Sequence, residues 1–316
     1  MTIHKSVLLN ETIDGLNLKE SAIVVDATLG GGGHSLEILK RIGPGGKLVA
    51  IDRDEEALER FRKRVEESKG DNFFLANIKI VKANFAEIEV IVKDLGIAGV
   101  DGIVADLGFS SDQMEDIERG LSFQSEGPLD MRLDRSQELT AHQIVNEYPQ
   151  AELEYILKNY GEEKFFKGIV KKIIEARQKK PIEMTTELAE IVGSAIPEKF
   201  KHGKIDPATK TFQAVRIETN KELESLEKFL PDAIESLKAG GRLAVISFHS
   251  LEDRIVKNMF RENARGCICP PEFPECRCGR KSVIKIITKK PIGPSEAEIV
   301  ANPRSRSAKL RICEKI

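Results

Sequence analysis

The stretch "VVDATLGGGGHS" (residues 24–35) sets four glycines directly after an apolar run and ends them with a histidine. Consecutive glycines between a strand and a helix let a ligand lie on bare backbone, because no side chain obstructs it and positive φ costs nothing. A nucleoside-triphosphate loop would close on Gly-Lys-Ser/Thr; this one closes on Gly33-His34-Ser35 and has no lysine for a β- or γ-phosphate. A dinucleotide loop counted from Gly30 and Gly32 wants a third small residue, which Ser35 nearly provides. Asp52 follows 22 residues after Gly30, at the end of the next strand, where an acid grips ribose hydroxyls. The same parts suit the nucleoside of S-adenosylmethionine. Asp26, ending the first strand, favours that ligand, since a carboxylate there repels a pyrophosphate and attracts a sulfonium. A nicotinamide cofactor stays open as the alternative.

Working outward, apolar runs bounded by turn residues recur at 22–27, 47–54, 78–84 and 100–108, separated by helically patterned segments. This is a βαβ series and predicts a parallel sheet with helices on both faces. Four consecutive strand ends then line one cleft: Asp26, Asp52, Asn84-Phe85 and Asp106. From about 113 to 207 the pattern turns helical ("ELEYILKNY", "EKFFKGIVKKIIEARQ", "TTELAEIVGSAI") and no strand is evident. Strand-like runs return at 241–249 and 281–290 after a helix over 220–241. The expected fold is α/β, a sheet domain formed by 1–112 and 208–316 and interrupted by an all-helical insertion at 113–207 that recognises substrate.

The 316 residues, 41% hydrophobic and 32% charged, suit a globular protein with a full core. No apolar run approaches 18 residues and the N-terminus lacks a secretion pattern, so a cytoplasmic protein without a membrane span is expected. The net charge of −2 hides a basic end: residues 279–316 hold ten Lys/Arg against three Glu, leaving about −9 on the rest. A polyanionic partner fits that segregation, with contacts from this end and from Lys171, Lys172, Arg177, Lys179 and Lys180 of the insertion.

"ADLGFSSDQ" (105–113) places an acid and an aromatic after the fourth strand, in the loose manner of amino-group methyltransferases. An exocyclic base amine is a poor nucleophile, its lone pair being delocalised into the ring, and needs acceptors that hold its N–H groups. Asp106 is the candidate; a cap or cofactor contact is the competing role. In "SFHSLEDR" (247–254) His249 is the candidate acceptor for the proton lost by the amine, against a structural role with Ser247, Ser250 and Asp253 capping the next helix. Asp130 and Arg132 in "GPLDMR" are candidate substrate contacts, and a salt bridge between them explains the charges equally well.

Taken together, "HKSVLLNET" (4–12), "DATLGGGGHS", "IDRD", "ADLGFSSDQ", "RGLSFQSEGPLDMRLD" (119–134), "YGEEKF" (160–165), "ATKTFQAVRIETNKEL" (208–223), "ISFHSLEDRIVK" (246–257) and "NPRSRSAKLR" (302–311) resemble the ribosomal RNA small subunit methyltransferase H family over nearly the whole chain. The resemblance implies a Rossmann-like class I methyltransferase sheet with a helical insertion. The activity it implies is transfer of a methyl group from S-adenosylmethionine to N4 of a cytidine in 16S rRNA. The implied partner is that RNA or the small ribosomal subunit, a homodimer being compatible. Carried over by motif, the cofactor contacts are Gly31, Gly32, Gly33, His34, Asp52, Phe85, Asp106 and Gln113. Ser6, Phe109 and Asp206 stand where the family usually has proline, valine and histidine, so no role assigned to that histidine transfers. A nonenzymatic RNA-binding assembly factor is the further alternative.

Four of the five cysteines, Cys267, Cys269, Cys276 and Cys278, fall in "CICPPEFPECRCG" as two C-x-C pairs. Tetrahedral zinc, disulfides and thiols compete for them, and a cytosolic setting disfavours disulfides.

Overall fold

The computed structural model describes residues 6–67, 77–201, 206–270, 273, 275 and 277–316. It divides into two compact units, one of Met1–Gly108 and Leu223–Ile316, the other of Phe109–Glu222.

The first unit is built on β1 (Ile23–Asp26), β2 (Lys47–Asp52), β3 (Ile78–Lys82), β4 (Val100–Asp106), β5 (Leu237–Ser247), β6 (Ile284–Ile286) and β7 (Lys309–Lys315). Their spatial order is β3-β2-β1-β4-β5-β7-β6. The first five strands pair in parallel. β7 runs antiparallel to both β5 and β6, which corrects the expectation of a wholly parallel sheet. β7 escaped the sequence reading because Lys309, Arg311, Glu314 and Lys315 make it look like a solvated basic tail. Its Leu310, Ile312 and Cys313 are nonetheless buried. Arg311 is buried too, held by Asp253 at 2.6 Å, because a charge leaves water only when another group replaces its hydration.

The helices are α1 (Leu9–Leu16), α2 (Gly33–Ile42), α3 (Glu55–Glu67), α4 (Ile88–Asp94), α5 (Ser111–Glu115), α6 (Ala141–Glu147), α7 (Gln150–Asn159), α8 (Phe166–Arg177), α9 (Thr185–Ala195), α10 (Thr209–Asn220), α11 (Glu222–Ser236), α12 (Ser250–Ala264) and α13 (Glu296–Ala301). Alternation along each strand sends side chains to opposite faces. Val25, Val49, Ile51, Ile103 and Val245 form one core with Ile91 of α4, Phe229 of α11 and Phe260 of α12. Val24, Leu48, Ala50, Val104 and Ala244 form the other with Leu16 of α1, Ile38 of α2 and Phe61 of α3. Strands covered on both faces must read as continuous apolar runs, which is why they were visible in the sequence.

From β1 the chain adds β2 and β3 on one side, then crosses to lay β4 on the other. The order reverses between β1 and β4, and sheets of this kind bind ligands beyond the carboxyl ends of the strands at that reversal.

The second unit is helical and has its own core, with Ile144, Leu153, Ile169, Val192, Phe212 and Val215 among its members. It runs from 109 to 222 rather than 113 to 207 because α10 belongs to it. Phe212, Ala214 and Val215 of α10 pack inside this core. Asn220, at the helix end, accepts from Leu133 N and donates to Met131 O, both at 2.8 Å. No helix among the described residues is long and apolar enough to cross a membrane.

Candidate active site

The glycine loop is seated on the sheet by backbone bonds: Ala27 N donates to Val104 O and Leu29 N to Ile51 O, each at 2.9 Å. Gly30 and Gly32 both take positive φ, 49° and 73°, which turns the chain tightly from β1 into α2. Asp52, at the tip of β2, then closes the loop. Its Oδ2 accepts from Gly30 N at 2.8 Å and its Oδ1 from Asp54 N at 2.9 Å. The two bonds hold the carboxylate beside the loop, and each oxygen keeps a second lone pair for a ligand hydroxyl. Burial raises the Asp52 carboxyl above its ordinary value, with the two backbone donors pulling the other way.

Two of the glycines serve the protein rather than a ligand. A Cβ on Gly32 would lie 2.4 Å from the Phe61 ring, and one on Gly33 would lie 2.0 Å from Ser6 Oγ. Arg64 Nη1 braces the loop from outside by donating to Gly31 O at 2.9 Å.

Asp26 ends β1 where the glycine loop begins. It is 1% exposed, with Ser35 Oγ donating to Oδ2 at 2.6 Å and Thr28 N to Oδ1 at 3.2 Å. It straps the loop to α2. Burial pushes its carboxyl up to about 6, the Ser35 bond opposing. Because the folded state binds this proton more tightly than the unfolded chain, Asp26 favours folding at low pH, and that contribution fades as pH rises through about 6. In ligand-free protein the stability advantage of wild type over Asp26→Asn should therefore grow by about 1 to 1.5 kcal/mol from pH 7.5 to pH 5. Urea titrations of both proteins at the two pH values measure this, and parallel curves would refute it.

Asp106, ending β4, has its backbone N–H donating to Thr28 Oγ1 at 2.6 Å. Its Oδ2 is 3.7 Å from Nδ1 of His34. Its Oδ1 is buried with no hydrogen-bond partner among the described residues. Such an atom is costly unless something completes it, so an acceptor is left over for an incoming donor. Burial raises the Asp106 carboxyl well above its usual range, and the charges of Asp26 and Glu252 add to the effect.

Phe85 follows β3 in a single 3-10 turn capped by Asn84, whose Oδ1 accepts from Ala86 N at 3.0 Å. Its ring is half-buried and meets Phe229 edge-on at 5.1 Å. One edge is thereby fixed, as a flanking surface for a planar base requires. The structure brings Gly30–His34, Asp52, Phe85 and Asp106 to the carboxyl edge of β1 to β4.

His249 is the N-cap of α12, its Nδ1 accepting from Glu252 N at 3.4 Å while Nε2 lies 3.2 Å from Glu252 Oε1. Glu252 Oε2 in turn accepts from Phe248 N at 2.8 Å. The cap is thus His249 with Glu252, not the expected Ser247, Ser250 and Asp253. Asp253 is drawn off by Arg311 and Lys309. The His-x-x-Glu spacing was the signal for this reciprocal cap.

Three further candidates lie in the helical unit. Gln113 is buried in a capping box, its Oε1 accepting from Ser110 N at 2.9 Å. Asp130 and Arg132 form a two-bond pair, Nε to Oδ1 at 2.8 Å and Nη2 to Oδ2 at 2.7 Å. Arg132 Nη1 also donates to the carbonyls of Arg135 and Gln137. Loop closure therefore occupies this guanidinium, in keeping with the salt-bridge reading. Of the insertion cations, Arg177 donates to Val145 O and Tyr148 O, and Lys180 pairs with Glu187, so neither is purely an RNA-facing charge.

Among the cysteines, Cys267, Cys269 and Cys278 cluster on the loop after α12, and Cys276 lies outside the described residues. Thr28, Arg64 and Glu252 were not singled out from the sequence, as each acts through a partner distant in the chain or through a common cap pattern.

A family model described as the MraW methylase family matches residues 1–316. The ribosomal RNA small subunit methyltransferase H of Clostridium botulinum (strain Kyoto / Type A2) is 52% identical over 313 residues, spanning 99% of this chain and 99% of that protein. The protein of the same name from Brevibacillus brevis (strain 47 / JCM 6285 / NBRC 100599) is 47% identical over 313 residues, spanning 99% of this chain and 98% of its own length. Among solved structures, an rRNA methylase from Streptococcus thermophilus aligns with a TM-score of 0.43 at 12% identity, covering 99% of this chain and 98% of that one.

Proposed function

This chain belongs to the MraW methylase family, and from that premise we propose that it transfers a methyl group from S-adenosylmethionine to the exocyclic N4 amine of a cytidine in 16S rRNA. The observation that carries the cofactor assignment is the bond from Gly30 N to Asp52 Oδ2, which puts a ribose-binding acid and a side-chain-poor loop in one cleft. The leftover acceptor on Asp106 fits a donor arriving there. When bound, S-adenosylmethionine supplies a methyl group already activated as a sulfonium, so no metal is required for the transfer.

The chain's own residues then have distinct tasks. Asp52 accepts from the ribose hydroxyls, the loop of Gly31, Gly32, Gly33 and His34 offers backbone N–H groups, and Phe85 flanks the adenine. Asp106 accepts an N–H of the target amine, aims its nitrogen and takes up the proton it loses. His34, 3.7 Å from Asp106, positions this acid, and His249, the N-cap of α12, is the alternative proton acceptor. We assign the helical unit, with Asp130 and Arg132, to substrate recognition, the bonds of Arg132 to Asp130 and to the carbonyls of Arg135 and Gln137 shaping the surface it presents.

The RNA partner, as 16S rRNA or the small subunit, meets Lys281, Lys285, Lys289, Lys290, Arg304 and Arg306, all exposed at the basic end. Its target base must leave the stack to reach the donor. The reaction belongs in the cytoplasm, where small subunits are made. Neither an NAD-dependent dehydrogenase nor a nonenzymatic assembly factor fits membership in a methylase family.

Asp52→Ala tests the assignment. Losing charged hydrogen bonds costs about 1.5 to 3 kcal/mol, so S-adenosylhomocysteine should bind roughly ten- to hundredfold more weakly by calorimetry. RNA affinity should change less than about twofold, since its phosphate contacts are elsewhere. Labelled-methyl mapping on 16S rRNA and on small subunits then locates the product. NAD binding without S-adenosylhomocysteine binding would overturn the proposal.

A further inference from the structure

The loop between α12 and β6 lies outside the cofactor cleft and carries the "CICPPEFPECRCG" stretch. Cys267, Cys269 and Cys278 bring their sulfurs within 4.8 Å of one another. Sγ of Cys278 is 3.8 Å from Sγ of Cys267. That is far beyond a disulfide bond of about 2.05 Å. It equals the edge of a tetrahedron around a zinc ion with zinc–sulfur bonds of about 2.3 Å, which is about 3.8 Å.

The backbone is arranged around the same three atoms. Cys269 N donates to Cys267 Sγ at 3.4 Å, Arg277 N to Cys269 Sγ at 3.3 Å, and Ile268 N to Cys278 Sγ at 3.5 Å. A neutral thiol is a weak acceptor, whereas a thiolate draws N–H groups strongly, so a backbone donor on each of three sulfurs is an environment for negative charge. Three thiolates this close repel one another unless a cation sits among them. Among the described residues of this segment, Cys267 and Cys278 are exposed, and Ile268 and Phe273 are each 46% exposed. A metal ion can order a loop whose described side chains bury little apolar surface, as it does in small domains.

We propose that Cys267, Cys269 and Cys278 bind one structural zinc ion that pins this loop. On binding, three S–H bonds break, three sulfur–zinc bonds form and three protons pass to solvent, with no change of oxidation state. The pinned loop presents Arg277, stacked over Phe273 at 5.5 Å, beside the basic end of the chain.

The full chain, purified under reducing conditions and dialysed against zinc, should retain about one zinc per molecule by plasma mass spectrometry. The double variant Cys267→Ser/Cys278→Ser should retain at least about tenfold less, while S-adenosylhomocysteine affinity stays within about twofold. Cys313→Ser, which removes the buried thiol of β7, should keep its zinc. Should the double variant fold poorly, titrating wild type with an organomercurial reads the same point, since blocking the thiols should release zinc in proportion. Cobalt loading should give thiolate-to-metal absorption in wild type and none in the double variant. Zinc below about 0.1 equivalents after loading, or equal zinc in wild type and double variant, would overturn the site.

Discussion

Asp106→Asn is expected to lower the rate of methyl transfer by about 10²- to 10³-fold while changing the affinity for S-adenosylhomocysteine by less than about threefold. The substitution keeps the size of the side chain and the bond from the backbone N–H of residue 106 to Thr28 Oγ1. It removes the charge that, in the proposed mechanism, accepts the amine N–H. It also relieves a buried carboxyl whose ionisation is opposed by burial and by the charges of Asp26 and Glu252. The variant should then be at least as stable as wild type at neutral pH, which separates a catalytic loss from a folding loss. The pH profile supplies the second readout. Asp106 must be ionised to accept, so kcat/KM in wild type should rise with pH through its elevated value, and this limb should vanish in the variant. Single-turnover transfer to small subunits, run alongside calorimetry, measures both. A variant with near wild-type rate, or one whose loss tracks cofactor affinity alone, would remove Asp106 from the chemistry.

Gly32→Ala carries the largest expected effect on folding and binding together. At φ 73° an L side chain is strained, and here its Cβ would lie 2.4 Å and 2.8 Å from two atoms of the Phe61 ring. Phe61 is 1% exposed in the core beneath α3 and has nowhere to retreat. Strain and overpacking add to about 2 to 4 kcal/mol. The displaced loop should also weaken S-adenosylhomocysteine binding by at least about tenfold, because a shift of the order of 1 Å misaligns the N–H groups at the start of α2. Gly43→Ala is the control: its φ is 67°, but nothing lies within 4 Å of its Cβ. It should cost about 1 kcal/mol from backbone strain and leave ligand affinity unchanged. Chemical denaturation and calorimetry compare the two variants. Equal costs would show that the Phe61 contact does not dictate glycine at 32.

The four parallel strand ends were legible because their determinants are local. Strands covered on both faces must be apolar throughout, and a ligand cleft at their tips leaves polar residues where each run stops, as at Asp26, Asp52, Asn84 and Asp106. The glycine loop was legible in the same way, though half its glycines answer to Phe61 and Ser6. What stayed open were roles that depend on which group a polar side chain meets once the chain has folded. The sequence left His249 as proton acceptor or cap and Arg132 as substrate contact or salt bridge; the structure shows the cap with Glu252 and the pair with Asp130, both made with close neighbours in the chain.

The chain's own chemistry therefore determined the class of fold, the order of its first strands and the group of residues at their carboxyl ends, since burial on both faces and freedom at a glycine are properties of the residues themselves. Tertiary structure alone decided three things: that β7 returns antiparallel through charged residues, that α10 belongs to the helical unit, and which carboxylates keep an acceptor to spare. Each depends on what a polar or amphipathic group meets when it is buried. A charge such as Arg311 becomes a core residue only once Asp253 is beside it, and an acid such as Asp106 keeps an acceptor to spare only because no hydrogen-bond donor among the described residues reaches its Oδ1.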